Sequence, residues 1–420
     1  MTLQLKPQQT VVVVGAGWDQ TPIIQEARRQ GHRVVAVDGN PHAHGFQYAD
    51  KAVVVSTRDL EGVLGVARDE QADALTYMIT ESPMPAIRYA ADSLGLPGPS
   101  HKSVEATVSK VRMRDILADA GVPAIRYGKA STLAEAKQVA ETVGFPSVMK
   151  SADVGGQLGL FRLHEQEDVA AHFAEALHYS VGGEVIIEEW LEGPEVNGVA
   201  IVLDGKIRVL TVSDRIKDER QAFGIVQRHL FPSACSASEL TEIHTLCQET
   251  VHAMEIGNGI IFPQMILTQR GPILVETGER VPGGVMKELF EYATGYDLVR
   301  LQLDISLGQI RDLIHYKTIP VYPAVTVKFM NCEPGPLRPG VVATMTGRNE
   351  ALARKSILEA QFYNDPTQPQ EIRPLRHARD RFFFIIAAGD SRAEVVRESD
   401  HAAELLDFLD PQGQSLKLVL

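Results

Sequence analysis

The sequence predicts an α/β domain at the N-terminus followed by α+β layers, and three observations predict it. Up to the Leu96-Pro97-Gly98-Pro99 boundary, short apolar runs alternate with helical stretches, the pattern of parallel βαβ units. From Phe145 a short strand delivers one lysine, Lys150, and opens onto a loop carrying Gly155, Gly156 and Gly159. After about Leu307 the chain reads as antiparallel strands, Val321 to Phe329, Gly340 to Met345 and Phe382 to Ala388, closed by a helix over about Arg392 to Leu409.

The first strand is Val11 to Val14, followed by Gly15-Ala16-Gly17 and a helix through Gln30 that Gly31 closes. Val34 to Val37 is a second strand ending in Asp38, and Ala52 to Val55 and Ala74 to Ile79 continue the sheet. Helices from about Asp59 and Pro83 cover it. A Gly-x-Gly turn with a downstream acid invites a nicotinamide-cofactor reading, but Gln20 stands where the fingerprint needs its third glycine. The domain is expected to be Rossmann-like without a dinucleotide.

Ser109 to Ala120 carries Met113, Ile116, Leu117 and Ala120 at helical spacing, with Lys110 in its first turn on the polar side. A capping box, Thr132 to Glu135, starts the helix Leu133 to Val143, which leads into the lysine strand. Glycines let backbone N–H groups approach a phosphate, and a lysine beside them adds a point charge. A surface hairpin with an exposed lysine accounts for the same residues. Leu160 to Leu163 resumes the strand, and a helix follows through about His178.

Val185 to Ile187 is a buried strand running into Glu188-Glu189-Trp190-Leu191-Glu192-Gly193-Pro194-Glu195. Val196 to Leu203 and Lys206 to Val212 form a hairpin about Asp204-Gly205. Ser238 to Met254 is an amphipathic helix with Ser238 as its candidate N-cap. Gly259 to Thr268 and Pro272 to Thr277 are strands, the second delivering Glu276-Thr277-Gly278-Glu279-Arg280-Val281-Pro282-Gly283-Gly284. Carboxylates and an arginine before a Gly-Gly turn suit phosphate held through a hard cation.

At 420 residues the chain is long enough for two or three domains. Acidic residues outnumber basic ones by 54 to 41, a formal charge of −13, so neither nucleic acid nor an anionic membrane is an expected partner. No apolar run approaches the roughly 20 residues that span a bilayer. Cys235, Cys247 and Cys332 stand far apart, which argues against a disulfide framework or zinc site and, with the polar start Met1 to Thr10, points to the cytoplasm.

Taken in order, these segments resemble the ATP-grasp superfamily of carboxylate–amine ligases over roughly residues 8–390. The resemblance implies a Rossmann-like preATP-grasp domain (1–99), a small lid domain (100–190), a nucleotide- and metal-binding lobe (191–310) and a C-terminal α+β lobe (311–420). It implies ATP and magnesium, or manganese, as cofactors. Lys110 and Lys150 match the family's phosphate lysines, and Gly155, Gly156 and Gly159 its lid loop. In the hinge, Glu188 with the backbone of Glu189, Trp190 and Leu191 would meet adenine, and Glu195 the ribose hydroxyls. Glu276 to Gly284 matches the metal-and-phosphate segment, with Glu276 as the secure metal ligand.

The segment departs from the family pattern at Gly278, where an asparagine is usual, and at Gln264, where an acid is usual. Glu279 compensates from the next position, or the Gln264 oxygen serves, or a second metal is held by nucleotide and water. Among relatives the arrangement is most similar to the L-amino acid (dipeptide) ligases, and that resemblance implies a homodimer. The implied chemistry is phosphorylation of a carboxylate, then attack by an amine, with Lys150, Arg280, Gly283 and Gly284 around the reacting groups. Arg215, Lys217, Arg228 and His229 are candidates for holding substrate carboxylates. A purine-pathway-type carboxylase or formyltransferase and a non-catalytic ATP-binding module are the alternatives.

Overall fold

A computed structural model describes residues 8–153, 159–218, 225–333, 335–376 and 378–418. Gly155 and Gly156 lie outside the described residues. The N-terminal domain comprises β1 (Thr10–Val14), α1 (Thr21–Arg29), β2 (Arg33–Asp38), β3 (Lys51–Val54), α2 (Leu60–Asp69), β4 (Ala74–Thr76) and α3 (Met84–Leu94). Its four strands are parallel in the order β3-β2-β1-β4. Val11 to Val14 are 0% exposed, the unbroken apolar run of a strand covered on both faces. The strand expected to reach Ile79 stops at Thr76. Ile79 takes φ 71°, which turns the chain out of the sheet.

Two helices, α4 (His101–Val108) and α5 (Lys110–Asp119), lead to a smaller layer. It holds β5 (Tyr127–Ala130), α6 (Leu133–Val143), β6 (Ser147–Ser151), β7 (Phe161–Leu163), α7 (Gln166–His178) and β8 (Val185–Glu189). Its sheet is antiparallel, β5-β8-β6-β7, and α6 and α7 bury Ala136, Ala140, Val169 and Phe173 against Met149, Leu163 and Ile187. The expected Thr132–Glu135 capping box is formed.

The rest of the chain builds around one nine-stranded sheet. In order come β9 (Glu195–Leu203), β10 (Lys206–Ile216), β11 (Arg228–Phe231), α8 (Ala237–Ala253), β12 (Gly259–Ile261), β13 (Gln264–Thr268) and β14 (Gly271–Glu276). Next are α9 (Met286–Thr294), α10 (Leu298–Ser306), β15 (Ala324–Met330), β16 (Gly340–Val342), β17 (Thr344–Thr346), α11 (Arg348–Leu352) and β18 (Ile357–Phe362). Last are β19 (Gln370–Ile372), β20 (Phe383–Gly389), α12 (Arg392–Leu405) and β21 (Asp407–Leu409). The sheet runs β14-β13-β9-β10-β11-β15-β20-β18, with β12 also on β9, so the strands after residue 320 extend the same sheet.

Four local expectations are corrected. Helix α8 is capped by Ser236, not Ser238, through a capping box with Glu239. The strand expected over Gly259 to Thr268 breaks at Phe262-Pro263, because proline has no N–H for the ladder. The expected Gly340–Met345 strand is two short ones pairing with different partners, β16 with β19 and β17 with β21. The last helix ends at Leu405, and a short strand follows it. Among the described residues, no helix is long and apolar enough to cross a membrane.

Candidate active site

Strand β6 carries Lys150 to the edge of the small layer, and β8 carries Glu188 beside it. The Lys150 ammonium lies 2.7 Å from the Glu188 carboxylate. On the other side Arg114 reaches the same carboxylate at 3.0 Å and donates to the carbonyls of Val275 and Leu274. Arg114 is 0% exposed although its helix opens with polar residues. It stands four residues after Lys110, hence on the same helix face. That face turns inward: Lys110, expected on the polar side, is 8% exposed, and its amide donates to the Ala152 carbonyl at the base of the glycine loop. The correction has a simple cause, because α5 lies between two layers and has little solvent face at its N-terminus.

These groups surround Glu276 at the end of β14. Burial works against its charge, yet Lys110, Lys150, Arg280 and Arg114 outweigh that and hold its carboxyl below the usual range. Burial is also the main reason the Lys150 pKa falls, with Arg114 and Lys110 acting in the same direction and Glu188 against them. The four cations face three carboxylates, Glu276, Glu188 and Glu81, which leaves a net positive charge that a polyanion would neutralise.

The N-terminal domain reaches into this site after β4. The Tyr77 hydroxyl donates to the Glu279 carbonyl at 2.6 Å, the Ile79 amide donates to the Val281 carbonyl at 3.1 Å, and the Glu81 carboxylate takes the Arg280 Nε at 2.7 Å. Arg280 Nη1 is buried with no hydrogen-bond partner. A Cβ on Gly283 would sit 3.0 Å from the Ile79 side chain. Gly284 has φ 67°, and a Cβ there would lie 3.3 Å from Arg381 Nη1. Gly159 also has φ 63° and lies against Ala176 and Tyr179 of α7, a close approach that excludes a side chain.

The remaining candidates divide. Gln264 is the cross-strand partner of Glu276, and its side-chain oxygen accepts from Arg215 at 2.8 Å. Arg215 and Lys217 both pair with Glu195. His229 is buried, 3.3 Å from the Asn197 side chain and edge-on to Phe329. Burial, then Arg381 and Arg215, push its pKa well below the ordinary value, so it is neutral at pH 7. Trp190 lies under the Arg162 guanidinium at 3.9 Å, and Leu191 follows it between β8 and β9.

Three expectations are revised. The Glu188 carboxylate, expected at adenine, is held by Arg114 and Lys150 and positions the lysine instead. The Glu189 carboxylate, for which only the backbone was expected at adenine, pairs with Arg126 and Arg270. Glu279, expected to assist the metal, turns to Ser103, whose hydroxyl donates to its carboxyl, and burial raises its pKa to about 7. Arg228, expected to hold substrate, points to the opposite face of β11 from His229, where it meets Ser399 and Asp400 of α12.

Three residues of the site were missed: Arg114, Glu81 and Arg381. The i, i+4 spacing from Lys110 was a signal for Arg114. Nothing local marks Glu81, which meets Arg280 across 199 residues. Arg381 is 6% exposed, lies 4.4 Å over the Phe329 ring, and has an unpartnered Nε.

The Gly-x-Gly turn has a different use. Asp38 accepts from the amides of Ala16 and Asn40, each at 2.8 Å, and the Gln20 side chain lies on Gly15 and Gly17. The acid that would take a ribose hydroxyl is thus engaged by the turn itself. ATP with magnesium at a hundred times its dissociation constant is expected to stabilise the fold by about 2.7 kcal/mol, and NADH to leave Tm unchanged. Stabilisation by NADH alone would overturn this.

Residues 109–313 match the family model described as carbamoyl-phosphate synthase L chain, ATP binding domain. The chain is 22% identical over 399 residues to an uncharacterized protein, y4rH, of Sinorhizobium fredii, over 92% of this chain and 79% of that one. Several other curated relatives are matched over less than half of their own length. An L-amino acid ligase from Bacillus licheniformis superposes with a TM-score of 0.78 at 18% identity, covering 96% of this chain and 99% of that one. A phosphoribosylglycinamide synthetase from Anaerococcus prevotii superposes with a TM-score of 0.75 at 17% identity, covering 96% and 100%. These superpositions do not single out one relative, but they agree with the three-part architecture: the chain has the ATP-grasp fold.

Proposed function

We propose that the chain joins a carboxylate to an amine at the expense of ATP, through an acyl phosphate, giving an amide, ADP and phosphate. The observation that carries this reading is the convergence of Lys110, Lys150, Arg280 and Arg114 on Glu276. A carboxylate and a triphosphate repel each other, so their meeting point needs concentrated positive charge held in place beforehand. Lys110 and Lys150 would hold the phosphates. Arg280, aimed by Glu81 and with Nη1 unpartnered, would meet the transferred group, together with the backbone of Gly283 and Gly284.

Among the described residues no three His, Cys, Asp or Glu side chains form a metal cluster. Glu276 fits magnesium as a shared ion instead, since that ion is commonly bound by one or two carboxylates plus phosphate and water. When bound, it would neutralise phosphate charge during transfer. Gln264 would add a neutral oxygen only by releasing Arg215. The loop with Gly155, Gly156 and Gly159 would exclude water.

Amino acids are the substrate class we favour, because Arg215 and Arg381 flank a neutral His229 and offer charge to a carboxylate. ATP, magnesium and amino acids singly and in pairs are expected to yield ADP and phosphate in equal amounts, with an amide in the mass spectrum. Bicarbonate or formate, tested alone with amines, separates the purine-pathway type of chemistry. AMP with pyrophosphate would refute the acyl-phosphate route.

A further inference from the structure

A cavity of about 780 Å³ lies between the C-terminal ends of β1 and β2 and the turn after β18. One wall holds Trp18, whose ring is edge-on to His44 at 4.7 Å, together with Phe46 and Asp38. The other wall holds Asp365 and Thr367. Among the described residues its fixed charges are the two carboxylates, and neither lysine nor arginine lines it. Asp365 accepts from the Thr367 amide at 2.8 Å and from its hydroxyl at 2.6 Å. Burial opposes its charge, but those bonds and nearby His44 prevail and keep its pKa below the ordinary value, so the carboxylate is ionised at pH 7.

Both walls run on to the catalytic centre. Gln20, three residues after Gly17, donates to the Met78 carbonyl at 3.4 Å, and the next residue, Ile79, packs on Gly283. Tyr363, two residues before Asp365, lies 5.8 Å from the Arg381 guanidinium, which in turn approaches Gly284. Neighbouring residues thus link both walls to Gly283, Gly284 and Arg381, which lie among the residues proposed to surround the reacting groups.

Its chemistry selects a ligand. Two fixed carboxylates without a balancing cation repel phosphate and carboxylate groups. They attract an ammonium, and the indole of Trp18 and the ring of Phe46 accept an apolar or aromatic body or a cation above a ring face. We propose that this cavity binds the amine partner of the ligation, an amine with an apolar or cationic body and no phosphate. This inference rests on the ligase reading. It excludes phosphorylated amines, the class that a phosphoribosyl substrate would represent.

Trp18 is one of two tryptophans in the chain and reports on the cavity directly. Tryptophan emission is titrated with L-phenylalaninamide and with ribose 5-phosphate, without ATP, in the natural protein, Trp18→Phe, Asp365→Asn and Asp365→Lys. The Asn variant keeps an oxygen for the Thr367 turn. A saturable change is expected with the amide alone, absent in Trp18→Phe, weakened in Asp365→Asn, and weakened at least about tenfold in Asp365→Lys, or ~1.4 kcal/mol. No response to the amide, equal or tighter binding of ribose 5-phosphate, or an unchanged Asp365→Lys affinity would each overturn the proposal. ATP-dependent phosphate release is followed in parallel with L-phenylalaninamide and alanine. Release with an unchanged amide KM in Asp365→Lys overturns this site and leaves the ligase reading standing. A fluorescence response without phosphate release leaves an amine-binding cavity and overturns its assignment to the ligation partner.

Discussion

Glu276→Gln is expected to lower ATP-dependent phosphate release by at least about a hundredfold, the scale on which single charge-stabilising groups act in reaction centres. The substitution keeps shape and removes one of the three carboxylates, Glu276, Glu188 and Glu81, that face the four cations. Because Glu276 is held below the usual glutamate pKa, its charge is present throughout neutral pH and is lost only on acidification below 4.5. The variant should therefore mimic the protonated natural protein at neutral pH. It should still bind ATP, since the cations remain, but the part of ATP binding that depends on magnesium should vanish. Circular dichroism checks that the fold is intact, and titration of ATP with and without magnesium checks the linkage. Full phosphate release in Glu276→Gln would remove this carboxylate from the site.

Arg114→Met is expected to cost about 3–5 kcal/mol of stability, the usual scale for removing one partner of a buried ion pair. Arg114 is fully buried, and its guanidinium bridges Glu188 to the carbonyls of Val275 and Leu274. Without it, Glu188 keeps Lys150 alone and two carbonyls lose a donor. Arg112, two residues earlier, pairs with Glu105 and Asp115 on the exposed side, and Arg112→Ala should change stability by no more than about 0.5 kcal/mol. Urea unfolding of both variants checks the contrast. The pH dependence follows in sign. Burial raises the Glu188 pKa, but Arg114 and Lys150 lower it further. A depressed carboxylate contributes stability above its unfolded value of about 4.5 and loses it as pH falls through the lower folded value. The natural protein should thus lose this contribution below pH 4.5, and Arg114→Met should lose less there, having less to lose. Equal stability of Arg114→Met and Arg112→Ala would show that the buried bridge contributes nothing.

What the sequence made legible was local. The unbroken Val11–Val14 run announced a strand covered on both sides, and the Lys150 strand and the Glu276 strand end stand where their apolar neighbours placed them. The site's second half is made by contacts between distant parts of the chain. Glu81 meets Arg280, and Arg381 approaches Gly284, without any spacing or composition that marks them. The side of a strand on which a charge emerges was equally hidden. Arg228 and His229 are adjacent in sequence, yet strand alternation sends one to α12 and the other toward Asn197. Glu188 was legible as important but misread in kind, because its partners Arg114 and Lys150 come from 74 residues away and from a neighbouring strand.

The alternate residues Tyr77, Ile79 and Glu81 grip Glu279, Val281 and Arg280 respectively. Ile79 does so in a left-handed backbone conformation that a β-branched residue adopts only under constraint, and Val285, at φ 63°, does the same at the far end of the gripped segment. The N-terminal domain and the 276–285 segment therefore form a matched pair, like a key blank cut to one lock. Exchange of residues 1–99 with the corresponding domain of another protein of this fold would transfer a foreign set of teeth. A chimera of that kind would need 77–81 and 276–285 exchanged together. A hybrid that carried only one of the two would fold each part and still leave Arg280 unaimed.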